Sequence, residues 1–291
     1  MGREDNVRIF QDTEKLVKEN TVLKNAVKNS NDKQVLVPEQ AKVSELIAGC
    51  EDGMNRYTQD AGIVVSKKRT YEAAASYKAD DIYKNMQVCV HNFASATNPG
   101  GGVVKGSSAQ EECLCRCSTL YFNLNTPAMW GGFYSPHRNE RNPIHNDDCI
   151  YTPDVVVFKS DTANPVLLPE KDWYKVNVIT CAAPNLRLMP GNAMNFGDGD
   201  RQAKISDDDL YNLHVKRLSR ILDIAVAGRN DIIILGAFGC GAFENNPEVV
   251  ARASKTVVDK YRKNFKRIEF AIYCSPRHEQ NYDVFRRIVM D

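Results

Sequence analysis

The run Ile232-Ile-Ile-Leu235 is apolar at every position, and a strand with no polar side must be covered on both faces. Comparable short runs lie at Gln87–Asn92, Val155–Lys159, Val176–Cys181 and Arg267–Cys274. Helical patterns separate them. Ser206 is placed to cap a helix whose first turn holds Asp207, Asp208 and Asp209, where the helix dipole favours negative charge. Leu210, Leu213, Leu218, Ile221, Leu222 and Ala225 continue that helix as an apolar stripe, and Gly228 stops it. Asn246 caps a second helix with Pro247 at its first position. A last amphipathic pattern covers Val284 to Val289. This alternation predicts an α/β fold, a mixed sheet flanked by helices.

The chain before residue 80 has a different texture. Ile9, Phe10, Thr13, Leu16, Val17, Leu23 and Val27 recur at three- and four-residue steps, predicting an amphipathic helix. A short strand follows at Gln34–Val37, and Thr70 caps a short helix to Tyr77. Residues 50–70 give no clear pattern. There is no internal repeat and no low-complexity linker, so the expected organisation is a helical extension over residues 1–80 packed on a main domain over residues 81–291.

Composition narrows the partners. Among 291 residues, 38 Lys and Arg balance 37 Asp and Glu, so no overall field draws in nucleic acid or an anionic membrane. Any anionic ligand must be held locally, and sequence-specific nucleic-acid binding is not expected. No apolar run is long enough to span a bilayer. The charged N-terminus lacks a secretory core, and Asn6 stands where a myristoylation signal prefers Ser or Thr. The expectation is an intracellular monomer. The nine cysteines are mostly scattered, as small buried hydrophobes are. Cys113, Cys115 and Cys117 cluster, but on a helix Cys115 points away from the other two, and there is no CxxC pair. Packed thiols are favoured over zinc, and neither metal nor cofactor is expected.

Two glycine-containing loops follow strands, where open α/β sheets place ligands. The first runs from Asn92 through Asn98-Pro99 to Gly100-Gly101-Gly102. The second, Gly236-Ala-Phe-Gly239-Cys240-Gly241-Ala242-Phe243, leads into the helix capped by Asn246. Backbone N–H groups freed by glycine, beside a helix N-terminus, suit a diphosphate. The spacings match neither a dinucleotide-dehydrogenase nor a P-loop fingerprint, which disfavours both classes. Gln110-Glu111-Glu112 then open a helix running towards Leu120. Taken alone, adjacent acids there read most simply as a solvated first turn, about 100° apart around the helix.

The stretch NFASATNPGGGVVKGSSAQEECLCRCSTLY, Asn92 to Tyr121, resembles the poly(ADP-ribose) glycohydrolases, whose signature is GGG, a short spacer and QEE. The compact microbial type is the nearest in pattern. VNVITCAAPN (Val176–Asn185) and IILGAFGCGAFENNPEVVA (Ile233–Ala251) agree in order, and the initial helix is also similar. The resemblance implies a macrodomain-like fold and a glycosidase that cuts ribose–ribose bonds to release ADP-ribose. Its substrate would be poly(ADP-ribose) or ADP-ribosylated protein. It implies Glu112 as acid/base and Glu111 as the partner on the ribose hydroxyls. Asn98, Gly100, Gly101, Gly102 and Gln110 match the first substrate loop and signature; Gly239, Cys240, Gly241 and Ala242 match the diphosphate loop. Phe243 matches an aromatic that packs on the ribose. The three helix cysteines depart from the family pattern, and no counterpart of an adenine-stacking residue is evident. Two other functions share the loops: a non-catalytic ADP-ribose reader, which would not need the acid pair, and a mono-ADP-ribosyl hydrolase.

Other groups carry less. His91, His137, His145, His214 and His278 show no ligand spacing and read as packing or surface residues. Trp130-Gly-Gly-Phe-Tyr134 reads equally as a mobile aromatic loop or a structural turn. Lys216, Arg217 and Arg220 read as a solvated helix face.

Overall fold

The computed structural model describes residues 2–47, 55–192, 197–275 and 278–291. Two helices open the chain, α1 (Arg3–Glu19) and α2 (Thr21–Asn31), followed by β1 (Val35–Val37), a short α3 (Val43–Leu46), β2 (Gly62–Ser66), α4 (Thr70–Ala79) and β3 (Val88–Ala94). Next come α5 (Gln110–Cys117), α6 (Leu120–Leu124), α7 (Pro127–Met129) and α8 (Ser135–Glu140). The rest alternates: β4 (Cys149–Val157), β5 (Tyr174–Ala182), α9 (Asp207–Ala227), β6 (Ile232–Leu235), α10 (Pro247–Lys260), β7 (Arg267–Ala271) and α11 (Gln280–Met290). The strands form one mixed sheet in the order β1-β4-β5-β3-β6-β7-β2. β4 runs antiparallel to β1 and β5, and all other pairs are parallel.

The two-sided burial follows from the period of two along each strand. Cys89 and Ile233 face a core built with Leu218, Ile221, Val250, Val257 and Phe285 of α9, α10 and α11. Their neighbours Val88, Val90, Ile232 and Ile234 face the opposite core, built with Tyr71, Ala73 and Leu114 of α4 and α5. Each such aliphatic side chain contributes about 1.5–3 kcal/mol on burial, so a polar residue on either face of β6 would be strongly destabilising.

Several local expectations are revised. Asn20 breaks the first helical pattern in two, ending α1 in extended backbone while its side chain accepts from Leu23 N at 3.0 Å to cap α2. Thr70 is the first residue of α4 rather than its cap; Arg69 holds the cap position, its N–H donating to Glu72 Oε2 at 3.1 Å. β4 begins six residues before its apolar run, because Pro153 and a register shift between Thr152 and Val155 interrupt the periodicity. Trp130–Tyr134 is a π-helical turn with Phe133 and Tyr134 buried, a structural element rather than a lid. Part of the unpatterned 50–70 segment, with Cys50, lies outside the described residues, while its later part supplies β2.

Of Lys216, Arg217 and Arg220, Lys216 is exposed, as a solvated face would have it, whereas Arg217 and Arg220 turn inward. Arg217 is wholly buried, donating to Asp147 Oδ1 and Ala182 O at 2.8 Å each. Lys216 reaches the same carboxylate at 2.6 Å, and Arg220 donates to Ala41 O and Val37 O. The acid that holds Arg217 inside lies 70 residues away in sequence.

His91, His137, His145 and His214 are all buried. Burial pushes His91 down to about 3 and His214 down to about 4. A histidine held neutral costs nothing above its usual value of 6.5 and destabilises as pH falls below it, since only the unfolded chain takes up the proton. The loss continues down to the two depressed values. Each residue should therefore remove about 2 kcal/mol by pH 5. Urea unfolding of wild type and His91→Leu at pH 7 and pH 5 checks this: wild type should lose about 2 kcal/mol relative to the variant over that interval, and an unchanged difference would contradict it.

Candidate active site

The C-terminal ends of β3 and β6 open onto a cleft of about 740 Å³. Its floor carries the two glycine turns and the start of α5. Gln110 fixes that start to the sheet: its Oε1 accepts from Phe93 N at 2.9 Å, and its Nε2 donates to His91 O at 2.7 Å and Thr70 Oγ1 at 3.1 Å. With α5 so placed, both acids turn in towards the first glycine turn.

Glu111 is 3% exposed, with both oxygens engaged. Oε1 accepts from Asn92 Nδ2 at 3.1 Å and Oε2 from Ser95 N at 2.8 Å. Glu112 is 7% exposed; its Oε1 accepts from Gly102 N at 2.9 Å, while Oε2 has no partner. Gly101 lies between them at φ +57°, and a Cβ there would sit 2.6 Å from Glu112 Oε1 and 3.1 Å from Glu111 Oε2. Only glycine accommodates that backbone angle and that approach together.

Burial lifts the Glu111 carboxyl to about 8, and the like charge of Glu112 adds to the lift against the Ser95 and Asn92 hydrogen bonds. Burial also raises Glu112, opposed by the Gly102 N–H and by the guanidinium of Arg116 one turn along α5. The pair thus keeps a proton near neutrality. Three of its four oxygens already accept hydrogen bonds from N–H groups, which leaves Glu112 Oε2 as the oxygen open to exchange a proton with a bound ligand.

The second turn faces the acids. Gly239, at φ +79°, is packed so closely that a Cβ would lie 2.7 Å from Ala183 Cβ and from Asn245 Nδ2. Asn245 staples the turn, donating to Pro184 O at 2.7 Å, with its Oδ1 2.9 Å from His214 Nε2. At Gly241 nothing lies within 4 Å of a Cβ, and its backbone is open to the cleft. Ala242 and Phe243 complete that wall. Beside them stands Arg187, a cation lining the cleft with its guanidinium 5.6 Å from the centre of the Phe243 ring.

Of the residues expected from sequence, Gly101, Gln110, Glu111, Glu112, Gly239, Gly241, Ala242 and Phe243 line this cleft together. Asn98, Gly100, Gly102 and Cys240 support it from behind. The Asn98 side chain accepts from Arg138, and Gly100, at φ +66°, packs on Tyr121 and Cys115. Gly102 gives its N–H to Glu112, and the Cys240 thiol is turned towards Phe238 O at 3.8 Å. Sequence reasoning missed Asn92, Ser95, Arg187 and Asn245. It also missed the far end of the cleft, where the Tyr273 ring lies with the Arg69 guanidinium 3.8 Å over it. Only their polar or aromatic character within or after the last residues of a strand marks them in the sequence.

The three helix cysteines go to separate surroundings: Cys113 receives Arg69 and Arg116, Cys115 lies against Gly100, and Cys117 points to Ser160 O. Among the described residues no group of three His, Cys, Asp or Glu side chains is placed to hold a metal ion. No helix among them is long and apolar enough to cross a membrane.

Sheet, flanking helices and paired glycine turns define a macrodomain-like α/β protein with a buried acid pair in its cleft. The family model of the microbial-type PARG catalytic domain matches residues 4–160, and the chain belongs to that family. Among solved structures, poly(ADP-ribose) glycohydrolase from Thermomonospora curvata superposes with a TM-score of 0.81 at 26% identity, over 98% of this chain and 99% of that one. The same enzyme bound to the inhibitor ADP-HPD gives 0.76 at 26% identity, with the same coverage. The Deinococcus radiodurans enzyme in complex with ADP-ribose gives 0.72 at 27% identity, over 91% and 96%. No curated protein sequence matches the chain significantly.

Proposed function

We propose that this chain is a poly(ADP-ribose) glycohydrolase that hydrolyses the ribose–ribose O-glycosidic bond and releases ADP-ribose. The observation that carries the reading is Glu112: a buried carboxyl, raised in proton affinity, with one oxygen unpartnered in a cleft between two phosphate-ready turns. A reader of ADP-ribose has no use for such a group. The family and the ligands of the related structures support the same substrate class.

In this reading the amides around Gly239–Gly241 hold the diphosphate, with Arg187 supplying the charge that the neutral chain lacks overall. Tyr273, with Arg69 beside it, offers the adenine an aromatic surface at the β7 end. The distal ribose lies against Phe243 and Gly101, its hydroxyls on Glu111. Glu112 protonates the leaving oxygen as the oxocarbenium-like state develops, then accepts a proton from water. Residues 1–80 act as an extension packed on the catalytic domain over residues 81–291 and lend the sheet its two edge strands. The chain works as an intracellular monomer.

The test is incubation with poly(ADP-ribosyl)ated and with mono-ADP-ribosylated protein, scoring free ADP-ribose. Release from the polymer is expected. Binding without release would favour a reader, and release from the mono-modified protein alone would favour a mono-ADP-ribosyl hydrolase.

A further inference from the structure

The cleft does not end at Glu112. Past it, away from the Gly239–Phe243 turn, it continues along Ser107 and Ser108 to the first turn of α1, where Arg3 and Asn6 line it. This lobe is a built surface. Asn6 is 5% exposed; its Nδ2 donates to Gly106 O at 3.0 Å, while Oδ1 is buried without a partner. Gly106, at φ +77°, is pressed so tightly against Arg3 that a Cβ would collide with its backbone. Thr13 Oγ1 donates to Arg116 O at 2.6 Å, fastening α1 along α5 behind the acids. Arg3 itself is exposed and forms none of the ion pairs among the described residues.

We propose that this lobe is the subsite for the leaving side of the scissile bond, receiving the next ADP-ribose unit of the polymer, with Arg3 on its diphosphate and Asn6 Oδ1 accepting from a sugar hydroxyl or the adenine amino group. The inference rests on the glycohydrolase reading and extends it. With adenine at the β7 end, diphosphate on the second turn and distal ribose on the acids, the bond to be cut points towards α1. A proton donor must adjoin the leaving oxygen, so whatever carries that oxygen lies on the free side of Glu112. A phosphate-bearing leaving unit meets a cation there; an uncharged one does not.

The experiment compares kcat/KM of wild type, Arg3→Glu, Arg3→Ala and Arg3→Lys on two substrates. One is poly(ADP-ribose); the other is a synthetic ADP-ribose glycoside with a small uncharged leaving group on the distal ribose. Arg3→Glu should lower kcat/KM on the polymer by about tenfold, the size of one charge-assisted contact, with Arg3→Ala between and Arg3→Lys near wild type. The small glycoside should be cut equally by all four, and added salt should shrink the difference on the polymer. Equal effects on both substrates, or none on the polymer, would overturn the subsite while leaving the activity intact. A wild-type protein that cuts neither substrate would remove the glycohydrolase reading, and this one with it.

Discussion

Glu112→Gln is expected to lower turnover of poly(ADP-ribose) by about 10³-fold, within the range for loss of a general acid/base, and to leave ADP-ribose affinity unchanged. The substitution is nearly isosteric. Gln keeps its oxygen on Gly102 N, and its NH₂ takes the place of Oε2, which has no donor facing it. Nothing in the turn needs to move. What disappears is the proton on Oε2 and the base that later accepts one from water. The pH profile supplies a second check. The protonated carboxyl is the working form, so wild-type kcat/KM should fall as pH rises through the value to which burial has lifted Glu112. Steady-state kinetics on the polymer and calorimetric titration with ADP-ribose separate the two effects. A variant with wild-type turnover would take Glu112 out of the chemistry.

How the two acids come together shows what was legible in the chain. The helix start at Gln110, the glycine turn before it and the strand before that could all be read from periodicity and breakers. So could the second turn and its Asn246 cap, which pairs with Glu248 N at 3.1 Å. A helical wheel sets adjacent acids about 100° apart, suggesting that one looks away. In the fold both reach the same turn, because Glu111 leans to Asn92 and Ser95 on the β3 side and Glu112 to Gly102. Gly101 has room for both only because it lacks a Cβ. The rest of the site depends on partners distant in sequence. Thr97 Oγ1 and Asn185 Nδ2 both donate to the buried Asp198, 3.0 and 2.7 Å away, coupling the first turn to the loop after β5. Arg217 finds Asp147 in the same way. No local period encodes such pairs. β2 was hidden differently, as a five-residue edge strand, half-buried throughout, beside a segment without pattern.

Glu111→Gln should make the protein more stable while lowering turnover by roughly 10²-fold, the cost of a misplaced ribose. A carboxyl lifted in the folded state stabilises below its usual value of 4.5, and that stability is lost as pH rises to the lifted value, about 8 for Glu111. Wild type should therefore lose about 1.4 kcal/mol per pH unit from this group across that window, a slope the Gln variant lacks. By pH 8 the variant should lead by about 3 kcal/mol, less than the full integral because the two acids share the load. The hydrogen bonds can be kept. Gln oxygen accepts from Ser95 N, and Gln NH₂ donates to Asn92 Oδ1, which now has no partner, once the Asn92 amide turns over. Thr180 Oγ1, 3.2 Å from Asn92 Nδ2, then donates where it had accepted. Urea unfolding of both proteins at pH 5 and pH 8 measures the divergence. Parallel stabilities across that interval would mean that Glu111 carries no such strain, and that the acid pair is held in place without cost to the fold.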